Sequence, residues 1–221
     1  MSRIEKAIEI AARKRNDASA VAPATTFVQS EDSPGRAPTM QRSRETIKID
    51  NPFLVTANDQ GSPASEQYRK LKSLIVKLSQ TGDFGKTLMI TSSTAGEGKT
   101  ITSLNLAITM AQEFDHTVLL VEADIRKPSI LNYLGLKAEK GLTDCVIDGN
   151  DISEVIVKTG IGGLSILPAG RQVENPVELF SSNRMQELFA EINSRYNDRY
   201  VIVDTTPLLP FAEPSYIANM I

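Results

Sequence analysis

The sequence predicts an α/β protein: a doubly wound, mostly parallel sheet with helices on both faces, preceded by a flexible N-terminal region. Three observations carry this. Four short apolar runs, at residues 86–93, 116–124, 163–170 and 199–207, read as strands. Each is apolar without alternation, as a strand covered on both faces must be. Between them lie stretches with apolar residues at helical spacing, so strand and helix alternate along the chain.

Taken in order, the chain opens with an amphipathic helix at residues 1–15, where Ile4, Ala7, Ile8 and Ala11 share a face. Arg13, Lys14 and Arg15 follow at its C-terminal end, where the helix dipole favours positive charge. Residues 16–50 are rich in Ala, Pro, Ser and Thr and poor in large apolar groups. Such a stretch buries too little surface to offset the entropy of ordering, so a linker is expected. The folded domain is expected over 51–221. Ser62 or Ser65, with Pro63 in the first turn, caps a helix whose Tyr68, Leu71, Leu74, Ile75 and Leu78 repeat about every 3.6 residues. A second helix follows the first strand, short helical pieces surround Leu131 and Cys145, and a longer helix from Pro176 is interrupted at Ser181 and Ser182.

Composition narrows the function classes. The 221 residues carry 24 Lys+Arg against 27 Asp+Glu, a net charge of -3. That balance exerts no global pull on nucleic acid, and no nucleic-acid partner is expected. No stretch approaches the roughly 20 apolar residues that span a bilayer. The charged N-terminus does not read as a secretory signal. The one cysteine, Cys145, has no internal partner and reads as a small buried residue, which fits a reducing cytoplasm. His116 reads as a surface residue ahead of a strand.

The strongest motif is Ser93-Thr94-Ala95-Gly96-Glu97-Gly98-Lys99-Thr100. It matches the phosphate-binding loop pattern G-x-x-x-x-G-K-[ST] except at the first position, where Ser93 replaces Gly. A buried strand precedes it and an apolar helix follows, which is the context the motif requires. Gly96 and Gly98 let the backbone curl so that successive N–H groups point at phosphate oxygens, and the helix N-terminus adds positive potential. Ala95, Gly96, Glu97, Gly98, Lys99, Thr100 and Ile101 are therefore the candidate nucleotide-binding residues. Lys99 is placed to contact the β- and γ-phosphates, and the Thr100 hydroxyl to ligate Mg²⁺.

Two apolar runs end in carboxylates, one in Glu122-Ala123-Asp124 and the other in Asp204. The C-terminal ends of parallel strands converge on the ligand crevice. Carboxylates facing a triphosphate repel it unless a cation intervenes, so Mg-ATP is the expected ligand and Glu122, Asp124 and Asp204 join Thr100 as metal candidates. Glu122 and Asp124 supply one candidate ligand and one candidate base, and the two roles stay undivided between them.

The ordered set SST-A-GEGKT, E-A-D-I-R-K-P, LPAG, NPVELFSS and VIVDTTP resembles the bacterial tyrosine kinases, the cytoplasmic autokinases of capsule and exopolysaccharide assembly. The resemblance runs from about residue 65 to 221. The opening MSRIEKAIE is similar to the start of members linked to exosortase-type clusters. The resemblance implies an ATP-dependent protein-tyrosine autokinase with Lys99, Asp124, Arg126 and Asp204 as catalytic residues. Asp124 would activate the tyrosine hydroxyl or hold the metal network, and Asp204 would be the metal-side carboxylate. Glu122 stands where the family pattern has Asp, and Ala95 where it has Pro. Glu66, Arg69 and Lys72 resemble the family's E-x-x-R-x-x-R oligomerisation motif, with Lys in place of the last Arg; by spacing alone they form a solvated face. The resemblance also implies a ring-shaped homo-oligomer recruited to the inner face of the plasma membrane by a membrane-embedded polysaccharide co-polymerase or activator. Members continue beyond the strand of Asp204 into a tyrosine-rich tail, so the chain reads as C-terminally truncated. The main rival is a partition- or placement-type ATPase, which carries an extra lysine where Thr94 stands. A third reading is an inactive ATP-binding regulator of a polysaccharide export complex.

Overall fold

The computed structural model describes residues 49–82, 85–112, 116–195 and 199–221. The expected N-terminal helix and all but the end of the linker lie outside the described residues. Among these described residues, five strands form one sheet: β1 (Thr87–Ile90), β2 (Thr117–Glu122), β3 (Val157–Lys158), β4 (Leu164–Leu167) and β5 (Arg199–Asp204), in the order β1-β5-β2-β4-β3. The four strands legible in the sequence are parallel, and β3 is an antiparallel edge. β3 was not anticipated. Two residues are too few to show a hydrophobic period, and the strand exists only because the turn through Gly160 and Gly162 folds it back on β4.

Alternation along the strands divides the core. Leu119, Val121, Val201 and Val203 join one buried cluster with α5 (Leu142–Asp148), α6 (Ile152–Val155), α7 (Pro176–Ser181) and α8 (Asn183–Ser194). Val118, Leu120, Tyr200 and Ile202 join the other, with α1 (Val55–Asn58), α2 (Pro63–Gln80), α3 (Lys99–Ala111) and α4 (Ile130–Leu134). The predicted helices on both faces are thus present. The last helix, α9 (Glu213–Ala218), places Ile217 in the first cluster.

Local chemistry sets the helix ends. Ser62 is the N-cap of α2, accepting from the Ser65 N–H at 3.2 Å, with Pro63 at the first helical position. Ser65, the alternative cap, is buried and reaches the Val55 and Asp59 carbonyls instead. Ser182 ends α7 and caps α8 through Met185 N, so the expected interruption is a cap between two helices. α3 is buried along most of its length, and its one amide side chain, Asn105, is fully buried. Asn105 accepts from Thr56 N at 3.0 Å and donates to Phe53 O at 2.9 Å, fastening the segment before α2 to α3.

The α2 stripe departs from the expectation. The packed line is Ser65, Tyr68, Ile75 and Val76, while Leu71, Leu74 and Leu78 are 38%, 53% and 41% exposed. The rotation follows from Ser65, whose bonds to α1 set which side of the helix faces the domain. His116 also differs from its expected surface position: it is half-buried, edge-on to the Tyr200 ring at 5.3 Å between centroids. Cys145 is buried as expected, and burial pushes its thiol up to about 11, so it is an unreactive core group.

Candidate functional site

Strand register brings the site together. Ile90 pairs with Asp204 and Asp204 with Glu122, so the C-terminal ends of β1, β5 and β2 lie side by side. The chain leaves β1 through residues 91–98 and enters α3 at Lys99. Gly96 and Gly98 have φ of 85° and 91°, in the left-handed region that glycine tolerates. The base of the loop is stitched to the segment after β5, where Leu208 N donates to Ser92 O at 2.8 Å.

Within this loop-and-strand junction, Lys99 Nζ lies 2.7 Å from Asp124 Oδ2, both side chains being largely buried. Asp124 Oδ1 accepts from the Lys127 N–H at 3.1 Å, which fixes the carboxylate across the lysine. Thr100 Oγ1 donates to Asp204 Oδ2 at 2.7 Å, and Ser103 Oγ donates to Oδ1 at 3.0 Å. Lys99 Nζ is 3.4 Å from Thr100 Oγ1, so both pairs form one contiguous cluster. Burial pushes the Asp204 carboxyl up to about 6, against the opposing pull of the Thr100 hydroxyl and the Lys99 charge.

The predicted site residues divide into those the structure brings together and those it does not. Lys99, Thr100, Asp124 and Asp204 form the cluster; Ala95, Gly96, Glu97 and Gly98 form the turn leading to it, and Ile101 lies in the first turn of α3. Glu122, the remaining metal candidate, is engaged by backbone groups. It shares a sheet face with Asp204 but lies one strand over, and its carboxylate is taken by three backbone donors, Ser129 N, Ile130 N and Ala169 N. Burial pushes its carboxyl up, partly offset by those donors. Glu122 thus anchors the start of α4 to the loop after β4. Among the described residues, no group of three or more His, Cys, Asp or Glu is arranged to hold a metal ion. Arg126 also points elsewhere. Its guanidinium pairs with the buried Glu213 at 2.7 Å and stacks 4.6 Å from the centre of the Phe211 ring. The oligomerisation candidates Glu66 and Arg69 pair with each other at 2.7 Å on α2, with Lys72 one turn further.

Two residues of this region were absent from the sequence reading. Ser103 sits three positions after Thr100, one turn along the same helix face, a spacing that would have revealed it. Glu213, the partner of Arg126, is 87 positions distant, and nothing in its local sequence marks it.

Fold and loop together define a P-loop α/β domain, the class of protein that binds nucleotides. A family profile described as AAA domain matches residues 85–217. Tyrosine-protein kinase YwqD of Bacillus subtilis (strain 168) is 34% identical over 167 residues, which span 76% of this chain and 69% of that protein. The putative tyrosine-protein kinase CapB of Staphylococcus aureus is 30% identical, over 72% of this chain and 68% of its own length. Tyrosine-protein kinase etk of Escherichia coli (strain K12) is 33% identical, but the match spans only 23% of that protein. Among solved structures, the kinase domain of the Escherichia coli tyrosine kinase ETK superposes with a TM-score of 0.69 at 31% identity, covering 79% of this chain and 66% of that one. The chimerical protein CapA2B2 superposes with a TM-score of 0.68 at 28% identity, covering 76% and 72%. The chain belongs to the family of bacterial tyrosine-protein kinases.

Proposed function

We propose that this domain transfers the γ-phosphoryl group of ATP to tyrosine and acts in exopolysaccharide or capsule assembly. One observation carries the reading: Lys99, Thr100, Asp124 and Asp204 meet in a single hydrogen-bonded cluster at the mouth of the glycine-rich loop. Phosphoryl transfer asks a protein mainly for positioning and charge stabilisation, and this cluster has the groups for both. Lys99 is the basic side chain of the loop and is parked on Asp124. Phosphate oxygens compete for that ammonium. When they take it, the Asp124 carboxylate is released to accept a proton from an incoming phenol.

The donor set fits Mg²⁺. A hydroxyl and a carboxylate, from Thr100 and Asp204, stand 2.7 Å apart as hard oxygen donors, and an ionised Asp204 in a buried setting calls for a cation. Thr100 and Asp204 would hold the ion, which would neutralise charge on the phosphates. Asp124 is the proposed base, while Arg126, held by Glu213, acts on the site through the loop that carries Asp124.

No helix among the described residues is long and apolar enough to cross a membrane. A cytoplasmic kinase recruited to the inner membrane face by a membrane-embedded activator is the proposed setting, with self-association through α2 placing one copy's tyrosine at another's site.

Incubation of the protein with Mg-ATP, followed by phosphotyrosine detection, tests the activity. The parent should gain phosphotyrosine, alone or with an added tyrosine peptide. Lys99→Ala should lose it together with nucleotide binding. Equal ATP affinity in the two proteins would remove the loop from the site.

A further inference from the structure

The side chain of Glu97 belongs to the glycine-rich loop itself. It is exposed and folds back across its own loop, where Oε2 accepts from Ser93 N at 2.8 Å and Thr94 N at 3.2 Å. Oε1 accepts from the Thr94 hydroxyl at 3.1 Å. The apex of the loop is thereby tied to its entry by a ring of contacts from Ser93 to Glu97. Around this ring the backbone has few other restraints. Ser92 Oγ donates to Thr94 O at 2.8 Å, Leu209 N reaches Ser93 O at 3.3 Å, and residues 93–97 are all exposed.

We infer that Glu97 is a positioning residue for the nucleotide, closing the phosphate loop into its binding shape before the phosphates arrive. Two features point this way. A glutamate beside a polyphosphate would repel it if turned inward; here its charge is spent on the amides of Ser93 and Thr94, which precede the stretch 95–101 expected to cradle phosphate. Gly96, at φ 85°, would otherwise leave the turn free to sample other conformations, and a loop that must be ordered on binding binds more weakly. The carboxyl is held below its usual range, led by the backbone bond from Thr94, so it is ionised at neutral pH. The inference rests on the nucleotide-site reading above.

The test is calorimetric titration of the full chain with ADP and Mg²⁺, for the parent, Glu97→Ala and Glu97→Gln, beside thermal melts without nucleotide. Glu97→Ala should raise the ADP dissociation constant by about fivefold or more, because pre-organisation is lost. Glu97→Gln keeps one oxygen acceptor and should fall between. The melting temperatures should agree, since the residue is exposed and distant from the core. In turnover, the change should appear in KM for ATP more than in kcat. Unchanged or tighter ADP binding by Glu97→Ala would overturn the inference alone. So would weaker binding matched by an equal fall in melting temperature for both variants, which would make the residue merely structural. No ADP binding by the parent would overturn the nucleotide-site reading and this inference with it.

Discussion

At Asp204, two hydroxyl donors hold the carboxylate oxygens while burial pushes the carboxyl from 3.8 up to about 6. The sign of the consequence follows from linkage. A carboxyl whose folded-state pKa is raised binds its proton more tightly in the native state, so the protonated form is the stabilised one. The contribution is fully present below the unfolded value of 3.8 and is lost as pH rises through about 6. The shift corresponds to about 3 kcal/mol of strain on the ligand-free protein at neutral pH. Asp204→Asn should therefore melt several degrees above the parent at pH 7.5 without nucleotide, with the gap closing toward pH 4. Thermal melts of both proteins across that range check it; a constant gap would mean that Asp204 does not titrate in this window. The same variant should lose Mg²⁺-dependent activity. At this scale the motif residues were legible, because a glycine-rich loop and an acidic strand end are local patterns. Ser103 was legible in principle through its spacing from Thr100.

The helix α2 shows what an element can hide. Apolar periodicity marks it, yet of the side chains that repeat only Tyr68 and Ile75 pack. Ile75 is buried while Leu74 beside it is 53% exposed. Leu71, Leu74 and Leu78 form an exposed apolar strip on one flank of the packed side of α2, and the Glu66–Arg69 pair lies on the other. If α2 carries the self-association proposed above, variants on the two flanks tell which of them meets the neighbouring copy. Glu66→Ala with Arg69→Ala should shift the protein toward monomer in sedimentation velocity, and Leu74→Asp should do so more strongly. The double charge change should reduce stability by no more than about 1 kcal/mol, since exposed pairs contribute that little. A parent that sediments as a monomer at high concentration, or an assembly unchanged in both variants, removes α2 from any interface.

Across the whole molecule, the site is built where segments distant in sequence are tied together. The loop after β2 is fastened to α9 by Arg126 and Glu213, and Glu213 is fully buried. Removing only the arginine leaves a buried carboxylate without its charge partner. Arg126→Ala should cost about 2 kcal/mol, and adding Glu213→Gln should recover much of that. Urea unfolding of the single and double variants measures the coupling. Additive losses would show that the pair is not a tether. The sequence by itself determined the four parallel strands, the helices between them, the phosphate loop and the acidic strand ends. Each of these is written in a local period or a short motif, which physical chemistry reads within a few residues. Only the tertiary structure decided that Glu122 holds the start of α4, that Arg126 is engaged by Glu213, which side of α2 is buried, and that β3 exists. Those outcomes depend on which donors and acceptors meet once the sheet is assembled, and a carboxylate or guanidinium takes whichever buried partner the fold delivers.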